Sequence, residues 1–536
     1  MTEFTDVTRP PRQRDDGATS DPGPSRTASL AATAALIVAA TVGVALRVRM
    51  ILLPRSLWLD EAALALNICG RSFADLLKPL DHDQAAPIGF LFIERAMVGL
   101  FGRNETALRL FPFLASIFAL VLLHQFCSKN MGRWAGVIAV ALAGVLPSLF
   151  YFGGELKQYS SDVAAGLLIL ALTSDVLRRG LSPWRAGLLA VVGMVGVWIS
   201  HPSVFLLAGT GATLILKGSI DRRYRAAALM AAVSGCWLAS FALEYELFLK
   251  GLQTNEFLNG FWDSAFLKFP PTSAKDLRLY PAIGIGIFES MYQNSLADVD
   301  LAPRMGVLMA ASWTLGVVAL YRRGRRDLLA LLVLPLAFAV LGSVLHKYPL
   351  KNRLALFTAA ATVPMIAGGF AGLLTARDFT IRSVGAVLLG FALLLPTMQA
   401  AQFLVERPRL HDARRVLTDV ASQWRPGDIV VVDRYSVVPL LYYRSFGEVE
   451  GLRRMEISRS ERSIVEAQDL AREIDRWKGR GRVWFLFDTT LPDPTNASMA
   501  VLMVLMDRAG ERLGSSTSRR YSAYLYRLDP KSDTGP

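Results

Sequence analysis

The stretch 327–345, DLLALLVLPLAFAVLGSVL, decides the fold of this chain. It contains one charged residue in nineteen, and a helix of that length rises about 29 Å, close to the roughly 30 Å hydrocarbon core of a bilayer. Ten further apolar runs predict a mostly α, multi-span transmembrane helical bundle with about eleven spans. With 327–345, the runs lie near 30–53, 107–126, 134–152, 161–177, 185–199, 203–217, 224–245, 304–321, 354–375 and 381–400.

The composition of the whole chain agrees with this prediction. Its 536 residues are 52% hydrophobic and 19% charged, with a mean hydropathy of +0.35, whereas a soluble domain carries about 25% charged residues. An ordinary soluble enzyme is therefore excluded. The net charge of +13 does not indicate a nucleic-acid partner, because membrane proteins concentrate Lys and Arg in cytoplasmic loops. The scattered Cys69, Cys127 and Cys236 exclude a disulfide framework.

The two ends of the chain differ from its middle. Residues 1–28, rich in Pro, Arg, Asp and Ser, predict a disordered cytoplasmic tail. Of 103 charged residues, 41 lie in 401–536, which has no run long enough to span. In that region 429–433 and 482–488 are continuous apolar strands among helical stretches at 411–423, 437–443 and 497–512, with 521–528 as a candidate edge strand. This alternation predicts a small C-terminal α/β domain with a largely parallel sheet.

One apolar run is predicted not to span. The stretch 87–101, PIGFLFIERAMVGLF, is short and carries Glu94 and Arg95 at its centre, where each charge costs about 3 kcal/mol on insertion. We expect it to be a helix that lies at the interface or re-enters the membrane. The transmembrane domain then covers 29–400.

The distribution of positive charge orients the spans. With the N-terminus inside, the short inside loops hold fifteen Lys and Arg and the short outside loops hold six, as the positive-inside rule requires. If 87–101 spanned, these totals would invert. The prediction is a multi-pass protein of a bacterial inner membrane with a periplasmic C-terminal domain. The outer face then carries the loop 54–86, the turn 153–160, the loop 249–302 and the domain 401–536.

The first outer loop carries two groups of candidate residues. Asp60 and Glu61 follow Trp58 just outside a span. Asp60 is either the N-cap of a short helix, with Glu61 in its first turn, or a partly desolvated general base for a sugar hydroxyl. Further along, His82 and Asp83 could hold a divalent metal together with Asp60, or this polar loop is simply solvated.

Two further turns place polar groups at the outer ends of spans. In GELKQYSSD, 154–162, a helix would put Glu155, Tyr159 and Asp162 on one face, either as a polar helix start or as a functional cluster that is costly to place there. In HKYPLKNR, 346–353, Arg353 opens the next span. Its guanidinium could fork onto a phosphate, or these cations could reach lipid headgroups.

These features, in this order, resemble the polytopic lipid-linked-sugar glycosyltransferases of the GT-C type. The nearest branch is family 39, with the protein O-mannosyltransferases and the bacterial aminoarabinose and galacturonic acid transferases of lipid A. The resemblance covers about the first 400 residues. Four stretches carry it: Trp58-Leu59-Asp60-Glu61; His82…Gln84…Pro87 with Arg109-Leu110-Phe111-Pro112; 155–162; and Tyr348-Pro349…Arg353. Where the family often has Lys-Pro-Pro, this chain has Ala85-Ala86-Pro87.

The resemblance implies a site and a reaction. Asp60, with Glu61 beside it, would activate the acceptor, and the donor would be a polyprenyl-phosphate sugar. Lys157, Arg353 and Tyr348 would bind the donor phosphate in place of the family lysine. The remaining substrate contacts would come from Glu155, Tyr159, Asp162, His82 and Gln84.

The implied reaction is a single displacement that inverts the anomeric carbon, because a retaining enzyme normally needs a second carboxylate as nucleophile. No cofactor is required, since a lipid monophosphate can leave with cationic help, while a divalent metal stays an alternative. Besides the bilayer, the partner would be an acceptor on an envelope glycolipid, polysaccharide or protein, and no nucleic acid is expected.

Two other functions compete with this interpretation. A transporter or flippase would show internal repeats and charged or Gly/Pro-broken residues in mid-span, whereas the polar residues here gather at the outer ends of spans. A polysaccharide polymerase or ligase would use the same kind of donor and usually a large outer loop, for which 249–302 is long enough.

Overall fold

The computed structural model describes residues 26–252, 260–292, 302–406, 412–433, 435–447, 449–459, 467–488, 499–518 and 520–528. The tail predicted over 1–28 lies outside the described residues, apart from 26–28, which begin the first helix. Two parts of the loop 249–302 also lie outside them, at 253–259 and 293–301.

Helices occupy every one of the eleven predicted apolar runs. The α-helices of five or more residues as far as Val405 are α1 (Arg26–Leu52), α2 (Leu59–Gly70), α3 (Ile88–Phe101), α4 (Glu105–Met131), α5 (Arg133–Val145), α6 (Pro147–Tyr151), α7 (Tyr159–Arg179), α8 (Pro183–Ile199), α9 (Ser203–Ile220), α10 (Tyr224–Glu244), α11 (Ala274–Glu289), α12 (Ala302–Arg322), α13 (Arg326–Val344), α14 (Ala359–Leu374) and α15 (Phe379–Val405).

The predicted multi-span bundle is confirmed, although the number of spans is lower than eleven by a strict criterion. Among the described residues, nine helices are long and apolar enough to cross a membrane. Arg133–Val145 and Pro147–Gly154 form a pair bent by 70°, which counts as a tenth span if the two are taken together. The remaining run is the 17-residue helix α8, at the lower limit of a spanning length.

The bend has a local cause in the sequence. Proline cannot donate a helical hydrogen bond and disfavours the helical conformation of the residue before it. Leu146, which precedes Pro147, accordingly adopts φ −60° and ψ 120°. The third predicted span is therefore broken at Leu146, a few residues before the polar turn 153–158.

Helix α14 forms the centre of the bundle. In the most apolar 18 residues of Asn352–Leu374, which is α14 with the short 3₁₀ segment before it, 94% of the residues are buried, against 17% in the corresponding part of α1 and 22% in that of α15. Its neighbours include α5, α7 and α12, and small residues let α12 approach closely. A Cβ on Gly369 would lie 2.7 Å from the backbone nitrogen of Gly316. Such close backbone approach is the usual basis of helix packing in membranes.

The segment 87–101 is not among the helices that could span. It forms the 14-residue helix α3, about 21 Å long, which packs against α2, α4 and α8. Its Glu94 is fully buried, and burial raises the pKa of that carboxyl well above its usual range. A protonated Glu94 avoids most of the cost of burying a charge.

The loops predicted to share the outer face meet at one end of the bundle. Glu61 of the first loop bonds to the turn after α6, because the Leu156 N–H donates to its carboxylate over 2.8 Å. Between the long loop and the turn before α14, the Leu350 N–H donates to the carbonyl of Ala265 over 3.3 Å. Two of the loops predicted to lie inside also contact each other, since Arg325 donates to the Asn130 carbonyl over 3.2 Å.

The C-terminal part is an α/β domain, as predicted. Its elements are α16 (Ala413–Gln423), β1 (Ile429–Val432), α17 (Val437–Ser445), β2 (Glu456–Arg459), α18 (Ala467–Trp477), β3 (Arg482–Asp488), α19 (Met499–Ala509), β4 (Glu511–Thr517) and β5 (Tyr521–Arg527). The strands form one sheet in the order β2-β1-β3-β5-β4.

Three details of the predicted domain were wrong. The sheet is mixed rather than largely parallel, since β1 pairs in parallel with β2 and β3, whereas β5 pairs antiparallel with β3 and β4. The short turn between β4 and β5 allows only an antiparallel pair. The helix predicted over 497–512 ends at Ala509 and gives way to β4.

The third detail concerns β5, which is an interior strand and not an edge. Tyr521 and Leu525 belong to the core on one face of the sheet. Tyr524 and Tyr526 belong to the core on the other face. A strand with both faces covered is apolar throughout, which is the pattern of an interior strand.

Candidate functional site

The site is built on a buried ion pair between Glu61 and Arg109. Arg109 grips the carboxylate with two hydrogen bonds of 2.9 and 2.7 Å, and Glu61 is fully buried. Burial alone would raise the pKa of Glu61, but the charges of Arg109 and Arg55 outweigh it and lower the pKa to about 2. The same carboxylate accepts from the Leu156 N–H, so it ties the first loop to the turn after α6.

The environment of Glu61 differs from that of Asp60, although both were predicted to be catalytic residues. The side chain of Glu61 is 0% exposed and that of Asp60 is 22% exposed. Glu61 also accepts from the Trp58 N–H, so it belongs to the capping of α2. A carboxylate occupied in this way fits a structural task better than proton transfer.

Asp60 pairs with a different cation, Arg353. The guanidinium of Arg353 also lies over the ring of Trp58, 5.1 Å from its centroid, a favourable cation–π geometry. Asp60 is not the N-cap of its helix, as one alternative predicted. Trp58 occupies that position, and Asp60 lies in the first turn of α2, where the helix dipole stabilises a negative charge.

The turn 153–158 does not continue as the predicted helix. The backbone at Glu155 is extended and α7 begins only at Tyr159, so Glu155, Tyr159 and Asp162 do not share a helix face. The bond from Leu156 to Glu61 holds this conformation. As a result Lys157 points back to the first loop, where it donates to the side-chain oxygen of Gln84 over 2.8 Å.

Lys157 and Glu155 are buried ionisable side chains next to this contact. Burial lowers the pKa of Lys157, partly compensated by the negative charge of Asp60. Burial and the charge of Glu61 raise the pKa of Glu155 to about 7. One oxygen each of Glu155, Gln158 and Asp162 is buried with no hydrogen-bond partner among the described residues.

Tyr348 contributes to the site indirectly. Its hydroxyl donates to the carbonyl of Leu354 over 3.1 Å, and its ring contacts Phe205 and Phe357. These contacts brace the turn that carries Arg353. Tyr159 lies closer to the charges, since Arg353 interacts electrostatically with it.

The side chains predicted as possible metal ligands do not come together. In the described part of the chain, no three His, Cys, Asp or Glu side chains come together closely enough to hold a metal ion. Asp60, His82 and Asp83 therefore do not form a cluster. His82 and Asp83 are exposed, with φ of 62° and 52°, while the His82 carbonyl accepts from Gln84 over 3.1 Å.

Arg109 and Arg55 both shape the site, although the sequence predicted no role for either of them. Arg109 bonds to the carbonyls of Arg55 and Ser56 over 3.0 and 3.1 Å. Arg55 bonds to the carbonyl of Gly154 and lies over the ring of Tyr151. The sequence did contain a signal for Arg109. A charged residue at the start of the predicted span 107–126 is expected to have a buried partner.

The raised pKa of Glu155 gives a first prediction. Between its ordinary pKa of 4.5 and about 7, the folded protein holds this proton more tightly than the unfolded chain does, so stability falls as the pH rises through that interval. The shift corresponds to about 3 kcal/mol. Glu155→Gln should weaken the dependence of the melting temperature on pH between pH 5 and pH 8, whereas the exposed Glu246→Gln should not. An unchanged pH dependence in Glu155→Gln would disprove the assignment.

Solved structures share this architecture. The apo form of ArnT from Cupriavidus metallidurans matches with a TM-score of 0.51 and 13% identity, over 92% of this chain and 98% of its own. AglB from Archaeoglobus fulgidus, an oligosaccharyltransferase in complex with an inhibitory peptide and a dolichol-phosphate, matches with a TM-score of 0.50 and 12% identity, over 93% of this chain and 74% of its own. The chain has the GT-C fold.

A second Archaeoglobus fulgidus oligosaccharyltransferase structure, in complex with Zn and sulfate, matches the GT-C fold of this chain with a TM-score of 0.50 and 13% identity, over 92% of this chain and 73% of its own. No family model and no curated protein matches the sequence. The chain is thus a multi-pass membrane protein of the GT-C fold, and its place in the family 39 branch stays a prediction.

Proposed function

We propose that this chain is an integral membrane glycosyltransferase that moves a sugar from a polyprenyl-phosphate donor to an acceptor hydroxyl. The contact between Asp60 and Arg353 carries the proposal, because it joins an accessible carboxylate and a phosphate-binding fork in one site. Lys157 supplies a second cation, linked through Gln84 to the same loop. The GT-C fold supports the proposal, since its neighbours are named ArnT and oligosaccharyltransferase.

The pairing of Asp60 suggests how donor binding prepares the site. In the structure the guanidinium of Arg353 is shared between Asp60 and the ring of Trp58. A donor phosphate offers more oxygens to a guanidinium fork than one carboxylate oxygen does. When the phosphate takes over Arg353 and contacts Lys157, the carboxylate of Asp60 loses its partner and becomes available as a base.

The reaction is then one displacement. Asp60 accepts the proton of the acceptor hydroxyl as the hydroxyl oxygen bonds to the anomeric carbon. The bond from that carbon to the phosphate oxygen breaks, and its electron pair stays on the lipid phosphate, where Arg353 and Lys157 stabilise the charge. Attack opposite the leaving group inverts the anomeric configuration. Glu61 does not enter these steps and acts as a positioning residue.

Buried acceptor atoms support a sugar-binding role for the start of α7. The unpartnered oxygens of Glu155, Gln158 and Asp162 would be costly to leave unpaired, and the hydroxyls of a donor sugar can donate to them. Tyr159 lies beside this group as a second polar contact. His82 stays a predicted substrate contact at the exposed rim of the loop.

The cellular setting follows the orientation predicted from positive charge. The site would face the periplasm of a bacterial inner membrane, with the acceptor on an envelope glycolipid, a polysaccharide or a protein. Mass spectrometry of glycolipid and envelope polysaccharide, with and without this chain, should show one missing sugar in its absence. An envelope unchanged in both fractions and in its glycoproteins would contradict the proposal.

The proposed role of Lys157 can be separated from simple surface charge. A charge-assisted hydrogen bond to phosphate contributes about 1.5–3 kcal/mol, so Lys157→Met should raise the KM for the donor by about 10- to 100-fold. Lys351→Met makes the same chemical change at an exposed position of the turn before α14 and should leave the KM unchanged. Equal effects of the two variants would remove Lys157 from the phosphate site.

A further inference from the structure

Three backbone groups just before Trp58 form hydrogen bonds to distant parts of the chain. The carbonyls of Arg55 and Ser56 accept from Arg109, which belongs to α4. The N–H of Leu57 donates to the hydroxyl of Tyr443 over 2.8 Å. Because Tyr443 lies in α17, the last of these anchors comes from the C-terminal domain.

A second set of bonds attaches the same segment to α16. The Arg414 N–H donates to the side-chain oxygen of Ser56 over 2.8 Å, and that hydroxyl donates to Asp412 over 3.1 Å. The guanidinium of Arg414 lies over the ring of Tyr443, 5.5 Å from its centroid. The α/β domain therefore contacts the segment through both a side chain and a backbone group.

Glu105 joins the two halves of this arrangement. The hydroxyl of Tyr443 donates to Glu105 over 3.0 Å, and Arg414 pairs with the same carboxylate. Glu105 and Arg109 are four residues apart on α4, so they lie on one face of the helix. One face of α4 thus holds the Glu61 carboxylate through Arg109 and the C-terminal domain through Glu105.

We infer that Tyr443 is a positioning residue, through which the C-terminal domain sets the place of Trp58 and Asp60 against Arg353. The inference gives the domain a task in the proposed reaction and in this respect rests on the proposed function. Tyr443 is almost fully buried, and its hydroxyl accepts from Leu57 while it donates to Glu105. Phenylalanine would fill the same space and remove both hydrogen bonds, the one from Leu57 and the one to Glu105.

The expected effect is on chemistry rather than on donor binding. Leu57 lies next to Trp58 and three residues before Asp60, so a released Leu57 N–H lets the base drift from the acceptor. A displacement of about 1 Å can cost about 100-fold in rate. Among the described residues, neither Arg353 nor Lys157 hydrogen-bonds to Leu57 or Tyr443, so donor affinity should hold.

The neighbouring tyrosine provides a matched control. Tyr442 is fully buried on the same helix, and its hydroxyl has no hydrogen-bond partner among the described residues. Removing an unpaired buried hydroxyl leaves no group unsatisfied and is close to neutral. Tyr443→Phe and Tyr442→Phe therefore make the same chemical change with opposite expectations.

The test compares these variants in the full chain, reconstituted in nanodiscs. Hydrogen exchange of the peptide covering 55–60 should rise at least tenfold in Tyr443→Phe and stay unchanged in Tyr442→Phe. With a polyprenyl-phosphate sugar, kcat should fall about 10- to 100-fold in Tyr443→Phe, with the KM for the donor within twofold. Ser56→Ala, which removes the bonds to Arg414 and Asp412, should raise the exchange of the same peptide.

The outcomes separate the inference from the proposed function. Unchanged exchange in Tyr443→Phe, or equal changes in both tyrosine variants, would overturn the positioning role whatever the activity. Increased exchange in Tyr443→Phe alone, with a wild-type protein that transfers no sugar, would uphold the anchoring role and contradict the proposed function. Increased exchange with an unchanged kcat would show that the anchor does not serve catalysis, and this too overturns the inference.

Discussion

Asp60→Asn should abolish sugar transfer, with kcat lowered at least about 1,000-fold, while the protein still folds and inserts. A general base contributes about 10²- to 10⁴-fold, and asparagine cannot accept the acceptor proton. Asparagine keeps the size of the side chain and its place in the first turn of α2. Donor binding should survive or improve, because Arg353 loses the carboxylate that competes with the phosphate.

The control for this variant is Asp81→Asn in the same loop. Asp81 pairs with Arg71 at the surface, 2.8 Å apart, and takes no part in the proposed site. Both purified variants should show the same elution profile and melting temperature to within a few degrees. Near-normal transfer by Asp60→Asn would leave Asp60 as a residue of the helix start only.

Glu61→Gln should produce the largest loss of stability. Breaking one partner of a buried ion pair costs about 3–5 kcal/mol, because the remaining charge stays buried. Here the remaining charge is Arg109, and Glu61 also holds the Leu156 N–H. We expect a markedly lower melting temperature in detergent and a loss of activity that follows from it.

A surface pair of the same chemistry provides the comparison. Glu511 pairs with Arg527 over 3.2 Å with both side chains more than half exposed, so Glu511→Gln should cost at most about 1 kcal/mol. If Glu61→Gln kept the wild-type melting temperature and lost activity alone, Glu61 would be a catalytic residue. That result would contradict its structural assignment.

The architecture of the bundle could be predicted because a bilayer leaves little choice. A run such as 327–345 must be helical, since no water is present to satisfy its backbone. The charges in 87–101 predicted a helix that does not span, because the membrane core contains no water to solvate them. The proximity of Asp60, Lys157 and Arg353 followed only from their shared side of the membrane, with no information on which would pair.

The details that sequence could not predict depend on contacts between distant residues. The turn at Glu155 is extended because its neighbour Leu156 bonds to Glu61, about a hundred residues earlier. Tyr521–Arg527 is an interior strand because β4 precedes it in the chain and pairs with its outer edge. The role of Tyr443 depends on how the C-terminal domain sits on α2, which no local pattern encodes.

The proposed reaction breaks the bond between a sugar and a lipid phosphate. The most direct measurement follows a polyprenyl-phosphate sugar labelled in the sugar, with an envelope glycolipid, polysaccharide or protein fraction as acceptor, in vesicles that contain the purified chain. We expect free polyprenyl phosphate and labelled acceptor in equal amounts, and neither product with Asp60→Asn. Donor that crosses the bilayer intact, with no lipid phosphate released, would rule out sugar transfer and identify a transporter.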